Sequence, residues 1–378
     1  MSAGQGEVEL IPVRSRGEMR RFISLPDRIS RQDPVYVPPL HSEQEQILST
    51  RKNPYFLHAE AQYWLARRGG RDVGRISAQR DQQITEPVGH FGMLAAEDDP
   101  AIFDALLRAA EAWHRERGMA RISGPYNLSL NETAGVLVEG FDTPPMLLMT
   151  HDPRYVGPRL EAAGYAKEKD ILAYLYDAGT PLPQSIERLL KRPLPPGLTI
   201  RPLDLSRYNE EVRTVSELFN DAWVSNWGFV PLTEVETTEM AKQLRMLLNE
   251  KLIWFAEYEG RSIGFIVCLP NVNEAIRDLK GSLLPFGWAK LLWRLKVAGL
   301  KSARVPLMGI RRGFHQGLIG SLIPFLLIDA VRREGLKLGF RAVELSWILE
   351  DNAPMRRINE VIGSTPYKTY RLYSKTLA

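Results

Sequence analysis

One pattern occurs twice in this chain and restricts its architecture more than any other feature: Trp-x-Ala-x-x-x-Gly-Arg-x-(Val/Ile)-Gly, at 64–74 and again at 254–264. Each copy alternates apolar and polar residues on both sides of a glycine turn, which is a hairpin signal. A second echo follows in the same order. LEAAG (160–164) and NEVIG (359–363) each lead into an aromatic strand ending Leu-Tyr. Two ordered matches on the same predicted elements point to a tandem copy of one α/β unit. The 378-residue length agrees, since two domains of roughly 150–200 residues are expected. Residues 178–199 hold five prolines around a short basic helix and read as the linker. The expected division is therefore 1–180, a linker at 181–199, and 200–378.

Downstream of the second hairpin, Arg304–Glu334 reads as a strand (Val305–Ile310), a basic glycine-containing turn (Arg311–Gly320) and an apolar helix closing on Arg332-Arg333. A strand entering a glycine turn and then a helix start aims several backbone N–H groups and the positive helix end at one point. That point suits a phosphate, and Arg311, Arg312 and Gln316 add donors. The same pattern fits a buried strand and core helix joined by a solvated loop.

A net charge of +4 permits anionic partners without demanding nucleic acid, and none is expected. The single cysteine, Cys268, excludes an intrachain disulfide. Its place in the apolar run FIVCL favours a packed thiol over a nucleophile. The N-terminal stretch lacks the apolar core of a signal peptide. No run approaches the ~18 apolar residues of a spanning helix. The expected location is cytoplasmic, at most peripheral to the inner membrane.

The second copy carries an insertion, 273–302, between its hairpin and its central strand. In helical projection Trp288, Leu291, Leu292 and Leu295 form a stripe, with Lys290, Arg294, Lys296 and Lys301 supplying charge and no acidic residue among them. This composition fits a helix lying on an anionic membrane through 283–301, or covering an apolar ligand. A helix packed on its own domain is the alternative.

The order strand, helix, hairpin, strand–loop–helix, strand, helix, strand, present twice, resembles the GNAT acyltransferase fold. The resemblance implies an α/β (α+β) class with two tandem domains, each a mixed, mostly antiparallel sheet flanked by helices. In that superfamily a loop of pattern (Arg/Gln)-x-x-Gly-x-(Gly/Ala) after the central strand binds the pyrophosphate of coenzyme A. Here it reads His315-x-x-Leu318-x-Gly320. The residues implied for acyl-CoA are Met308, Gly309, Ile310, Arg311, Arg312, Gly313, His315, Gln316, Gly317, Leu318, Ile319 and Gly320. The first copy has Glu97, Asp98 and Asp99 at the equivalent loop, and clustered carboxylates repel a pyrophosphate. Acyl-CoA binding is thus expected in the second copy, and a contribution to the acceptor site in the first.

The stretches 53–61, 124–156, 219–232 and 345–375 resemble more specifically bacterial tandem-GNAT proteins that include the bacterial ceramide synthases. These acylate the amine of a long-chain sphingoid base from acyl-CoA. The resemblance implies the same N-acyltransferase activity here, with acyl-CoA as co-substrate and no tightly bound cofactor. Polar groups in loops, beside aromatic walls, suit a polar head on an apolar chain. Those expected to meet the substrate are Tyr126, Asn127, Asn131, Asp142, Asn220, Trp223, Asn226, Trp227, Trp347 and Asn352.

In the GNAT pattern the amine attacks the thioester directly, and backbone N–H groups of the central strand polarise its carbonyl. The six histidines show no metal-ligand spacing. An ammonium must first lose its proton, so a base is needed. Glu350 and Glu132 are the leading candidates and His151 the third, with Tyr367 or Tyr370 as proton donor to the thiolate. Two other readings stay open: an acetyl- or aminoacyltransferase on a non-lipid amine, as in Fem-type enzymes, and a non-catalytic lipid-binding protein.

Overall fold

The computed structural model describes residues 6–245 and 248–377. The chain forms two compact units. The first comprises Met1–Ile171, Ile276–Trp288 and Lys368–Ala378; the second comprises Leu172–Ala275 and Ala289–Tyr367.

The early chain gives β1 (Glu9–Pro12), α1 (Arg16–Ile29) and α2 (His41–Ile47). Next come β2 (Ala59–Arg68), β3 (Arg71–Asp81), β4 (Val88–Ala96), α3 (Pro100–Arg115) and β5 (Arg121–Gly124). Then follow β6 (Val136–Glu139), α4 (Val156–Ala162) and β7 (Ala166–Asp177), which runs from the first unit into the second. The series continues with α5 (Gln184–Leu190), β8 (Leu198–Pro202), α6 (Tyr208–Trp223) and α7 (Glu234–Leu244). After these lie β9 (Ile253–Tyr258), β10 (Arg261–Pro270), α8 (Asn273–Ile276) and α9 (Gly287–Trp293). The last are β11 (Ser302–Ile310), α10 (Gly317–Lys337), β12 (Ala342–Leu349), α11 (Ala353–Val361) and β13 (Thr365–Thr376).

The duplication is visible in the strand pairing. In the first unit β1, β2, β3 and β4 pair antiparallel in turn, and β4 pairs parallel with β5. In the second, β8, β9, β10 and β11 pair antiparallel in turn, and β11 pairs parallel with β12. The parallel step in each unit is bridged by a crossover helix, α3 or α10.

The repeated sequence pattern has a packing reason. Its alanine and last glycine are cross-strand partners, Ala66 with Gly74 and Ala256 with Gly264. A Cβ on Gly74 would lie 2.8 Å from Ile102 and from Leu106 of α3. One on Gly264 would lie 3.0 Å from Ile323 of α10. The small pair is where the crossover helix presses on the sheet in both units. The inner glycines, Gly70 and Gly260, turn their hairpins at φ of 77°, where only glycine is unstrained.

The boundaries differ from the expected division. The proline-rich stretch is no free linker, because Leu182 and Ile186 are buried in the second unit's core beside Leu198 and Leu252. The final strand is not part of a continuous 200–378 domain. From Lys368 onward it belongs to the first unit, pairing antiparallel with β5 (Tyr373 with Gly124) and with β6 (Tyr370 with Leu137). The 273–302 insertion is divided too: its 276–288 part belongs to the first unit, where the His41 N–H donates to the Gly281 carbonyl at 2.9 Å and Arg277 donates to the Pro34 carbonyl at 2.7 Å.

Two buried groups make testable statements. His114 on α3 lies against Gly89, and its Nε2 donates to the His90 carbonyl at 2.8 Å. Its Nδ1 is buried without a partner, so protonation would leave an unpaired buried N–H. Burial pushes His114 down to about 4 and His90 to about 3, from an ordinary value of 6.5. An unfolded chain therefore takes up these protons first. Stability conferred by the neutral rings is fully present above pH 6.5 and is lost as pH falls towards 3–4. The melting temperature should fall between pH 6.5 and 5, above the carboxylate range, and His114→Gln should flatten that slope. Burial also pushes the Cys268 thiol up to about 12. A thiol-reactive dye at pH 8 should leave the native protein unlabelled and label one cysteine in denaturant.

Candidate functional site

The second unit contains a cleft made by its own topology. β11 and β12 pair from Ser302–Ala342 to Val305–Leu345 and then part. Pro306–Ile310 and Ser346–Leu349 continue beyond that last pair, while β11 stays bonded to β10 as far as Ile310. Alternate N–H and C=O groups of β11 therefore face the opening and need partners from elsewhere. Trp223, at the end of α6, roofs the strand. A Cβ on Gly309 would lie 2.4 Å from its ring, so glycine is what lets the indole down onto the backbone. Phe219 stacks behind Trp223 at 4.8 Å between ring centres.

At the vertex of the cleft sits a buried polar quartet. Arg304 and Glu344 are cross-strand partners. Arg304 Nε lies 3.4 Å from Glu344 Oε1 and donates to Ser346 Oγ at 2.8 Å. Ser346 Oγ in turn donates to Glu344 Oε1 at 2.6 Å. The Tyr367 hydroxyl donates to the other carboxylate oxygen, Oε2. Glu344 is completely enclosed, and Arg304 and Ser346 nearly so. Losing one partner of such a buried pair typically costs about 3–5 kcal/mol.

The mouth of the cleft carries the loop singled out in the sequence. Arg312–Phe314 make one 3-10 turn, and α10 starts at Gly317 with Gln316 as its cap residue. No side chain caps that helix start, so its first N–H groups face outward. Gly320 has no room for a side chain: a Cβ there would lie 1.7 Å from the Phe314 carbonyl oxygen. His315 pins the loop, its Nε2 donating to the Ile310 carbonyl at 2.8 Å. The arginines are turned aside. Arg311 donates to the Ser262 carbonyl at 2.9 Å and lies 3.6 Å from Glu217. The Arg312 N–H donates to Asp221 at 2.9 Å, with its guanidinium 3.8 Å away. Beside its backbone N–H groups this loop keeps an exposed Arg312 side chain, while Arg311 is tied to the Ser262 carbonyl.

The first unit closes the same two features with its own residues. Asp99 caps α3, accepting from the Ala101 N–H at 2.8 Å. Its partner Arg68, together with Arg28 and Arg71 on Glu97 and Arg159 on Asp98, balances the acidic loop. β4 and β5 pair only from Val88–Arg121 to His90–Ser123, and the chain then folds back into the gap. Asn127 Oδ1 accepts from the Met93 N–H at 2.7 Å, and the Tyr126 N–H donates to the Phe91 carbonyl at 2.7 Å. Gly92 permits this, since a Cβ there would lie 1.7 Å from the Tyr126 carbonyl oxygen.

Several expected site residues thus have local partners. Asn127 Nδ2 donates to Thr133 Oγ1 at 2.9 Å, and Tyr126 is buried. Glu132 accepts from the Leu128 N–H at 3.2 Å and from Asn53 at 3.4 Å, bracing that loop. The Asn131 N–H donates to Ser129 Oγ at 3.2 Å. His151 lies 2.8 Å from Asp33 and is almost wholly enclosed. Its neighbour Asp152 accepts from the Leu137 N–H, and burial holds that carboxyl above the usual range. Asp142 is an exposed partner of Arg154. In the second unit Asn220 clamps Leu232 through both backbone groups, at 3.2 and 3.1 Å. The Asn226 N–H donates to the Trp223 carbonyl at 2.7 Å. Asn352 caps α11, accepting from the Met355 N–H at 3.2 Å.

Trp227 and Trp347 are half-buried, Trp347 with Arg304 5.4 Å from its ring centre. Glu350 is half-buried at the open end of β12, and its carbonyl accepts from Arg356 at 2.8 Å. Of the two tyrosines, Tyr370 is fully enclosed and Tyr367 half-buried. Arg304, Glu344 and Ser346 were missed, although opposite charges inside the strand runs ARVPLM and AVELSW were a readable signal.

No protein-family model matches the sequence. A bacterial ceramide synthase of Caulobacter vibrioides (strain NA1000 / CB15N) is 53% identical over 376 residues, covering 98% of each protein. Protein YghO of Escherichia coli (strain K12) is 44% identical over 368 residues, covering 96% of this chain and 94% of its own. Among solved structures, a tandem GNAT protein from the clavulanic acid biosynthesis pathway superposes with a TM-score of 0.58 at 17% identity, covering 98% of this chain and 99% of that one. A GCN5-related N-acetyltransferase from Sphaerobacter thermophilus gives 0.54 at 14%, covering 97% and 96%. The two structural neighbours speak for the fold alone. Identity of this extent along nearly the whole of the Caulobacter protein carries the further step: the chain belongs to the bacterial ceramide synthase family of tandem GNAT-fold acyltransferases.

Proposed function

We propose that the protein moves a fatty acyl group from acyl-CoA to the amine of a long-chain sphingoid base, by direct attack within the cleft of the second unit. The observation that carries this reading is the contrast between the two crossover helices. α3 starts on an aspartate cap amid carboxylates, whereas α10 starts uncapped beside parted strands. An uncapped helix start with a tight glycine beneath it fits a pyrophosphate. The parted edge of β11 offers N–H groups to a thioester carbonyl, whose oxygen gains charge as the amine attacks. Trp223, Trp227 and Trp347 supply apolar walls for a chain-bearing substrate.

A long-chain amine arrives mostly as its ammonium, since alkylammonium groups titrate near ~10. In this reading Glu350, half-buried just past β12, holds that cation and passes its first proton to bulk water. Glu132 is assigned to bracing its loop. Wild-type protein given palmitoyl-CoA and a panel of long-chain amines should release free thiol, with the N-acyl product seen by mass spectrometry. Gly320→Val should raise the KM for acyl-CoA at least about 10-fold. Glu350→Gln should raise the KM for the amine while sparing that for acyl-CoA, and Glu132→Gln should lower the melting temperature with turnover near normal. Thiol release with short acyl-CoA and polar amines only would replace the lipid reading with that of a small-amine acyltransferase. Failure to release thiol with any donor and acceptor of the panel would end the proposal.

The segment 283–301, whose part up to Trp288 belongs to the first unit and the rest to the second, supplies apolar and basic side chains for reaching a lipidic substrate. Leu284, Phe286, Trp288, Trp293 and Val297 are exposed, at 79, 77, 52, 57 and 72%, with Lys290 and Lys296 also exposed. Leu291 and Leu295 of the expected stripe instead pack on the second unit's core. The segment contains no acidic residue, which favours an anionic bilayer surface as its occupant. No helix among the described residues is long and apolar enough to cross a membrane. The protein should sediment with phosphatidylglycerol vesicles and much less with phosphatidylcholine, and Trp293→Ser with Phe286→Ser should abolish the difference. Equal binding to both lipids would remove the electrostatic part of this account.

A further inference from the structure

We propose that Tyr367 is the proton-transfer residue of the reaction, and that Glu344 is its positioning residue, a walled-in carboxylate that takes and returns the phenolic proton. The inference rests on the acyl-transfer reading above.

The two oxygens of Glu344 are divided between opposite tasks. Oε1 is held by Ser346 at 2.6 Å and faces Arg304 at 3.4 Å, so it is fixed and its charge is balanced. Oε2 receives the Tyr367 hydroxyl. The carboxylate is completely enclosed at the vertex where β11 and β12 part, whereas Tyr367 is half-buried. A buried carboxylate exchanges protons with solvent only through a neighbour, and the Tyr367 phenol on Oε2 is a neighbour that is itself half-buried rather than enclosed.

The direction of this bond matters. A phenol that donates to a carboxylate has spent its one proton and retains lone pairs. It cannot at that moment protonate a thiolate, but it can accept an N–H. As the neutral amine attacks, the N–C bond forms and the amine proton passes to Tyr367 Oη. The phenol's own proton moves to Glu344 Oε2. When the C–S bond breaks, the leaving sulfur takes a proton from Tyr367 Oη, and the proton stored on Glu344 refills the phenol. One proton has gone from nitrogen to sulfur and the protein is unchanged. Two steps that need opposite chemistry are served by one hydroxyl.

Neither the family resemblance nor the loop pattern assigns Arg304, Glu344 or Ser346 a role. A purely structural quartet would predict that its loss acts through stability only. The test is steady-state thiol release by wild type, Tyr367→Phe, Ser346→Ala and Ser346→Thr, each checked by thermal melting. Glu344→Gln is avoided, because it strands a buried arginine. Tyr367→Phe should lower kcat about 100-fold with the KM for acyl-CoA unchanged. Ser346→Ala removes the hydroxyl that holds Glu344 Oε1 and should lower kcat with the KM for acyl-CoA unchanged, and Ser346→Thr should restore it. A Tyr367→Phe variant within twofold of wild type, or a Ser346→Ala variant that keeps wild-type kcat or is not rescued by Ser346→Thr, would overturn the proposal while leaving acyl transfer standing. A wild type that releases no thiol would overturn acyl transfer, and this proposal with it.

Discussion

A pair of parallel strands that part before they end leaves backbone groups with no partner, and each unit of this protein has to answer that requirement. The first answers it internally. Its chain folds back past Gly92, and the Asn127 amide stands in for the missing strand at Met93. The second keeps β11 bonded to β10 alone beyond Val305. A buried backbone group left unpaired costs about as much as a lost hydrogen bond, so the groups along such an opening must be met by side chains, water or a ligand, as His315 meets the Ile310 carbonyl. The proposed binding of acyl-CoA by the second unit rests on this single difference.

The same logic extends to the helix that follows each central strand. Both crossover helices lie on a small Ala–Gly pair of the sheet, so both begin in the same place relative to their strands. One start is capped by Asp99, a cap generally worth about 1 kcal/mol, and is surrounded by acids that arginines neutralise. The other forgoes that cap and accepts a glycine at position 320 that leaves no space for a side chain. Stability has been built into one copy where the other keeps donors exposed.

Much of this was readable in the residues. The repeated Trp-to-Gly pattern located both hairpins because its Ala–Gly pair is dictated by helix packing, a constraint that acts on every copy. The strand–turn–helix at 305–334 was legible through its apolar run and glycines. The unit boundaries were not, because pairing of the last strand with β5 and β6 is a long-range choice that local composition does not encode. The polar loop at 124–134 reads as a headgroup site because asparagine and glutamate serve turns and substrates with the same atoms; its hydrogen bonds to Met93, Leu128 and Thr133 also hold the chain in place. Arg304, Glu344 and Ser346 at the vertex escaped because Arg304 and Glu344 are forty residues apart and meet only through the parallel register.

The account's central claim is that the first unit's parted strands are closed from within and the second unit's are open to a nucleotide thioester. Amide hydrogen exchange with and without coenzyme A tests it most directly. The account predicts new protection at Met308–Ile310 and at Gly317–Gly320, with the amides of Met93 and Ala101 unchanged. Protection appearing at Met93 and Ala101, or at neither place while coenzyme A is bound, would contradict it.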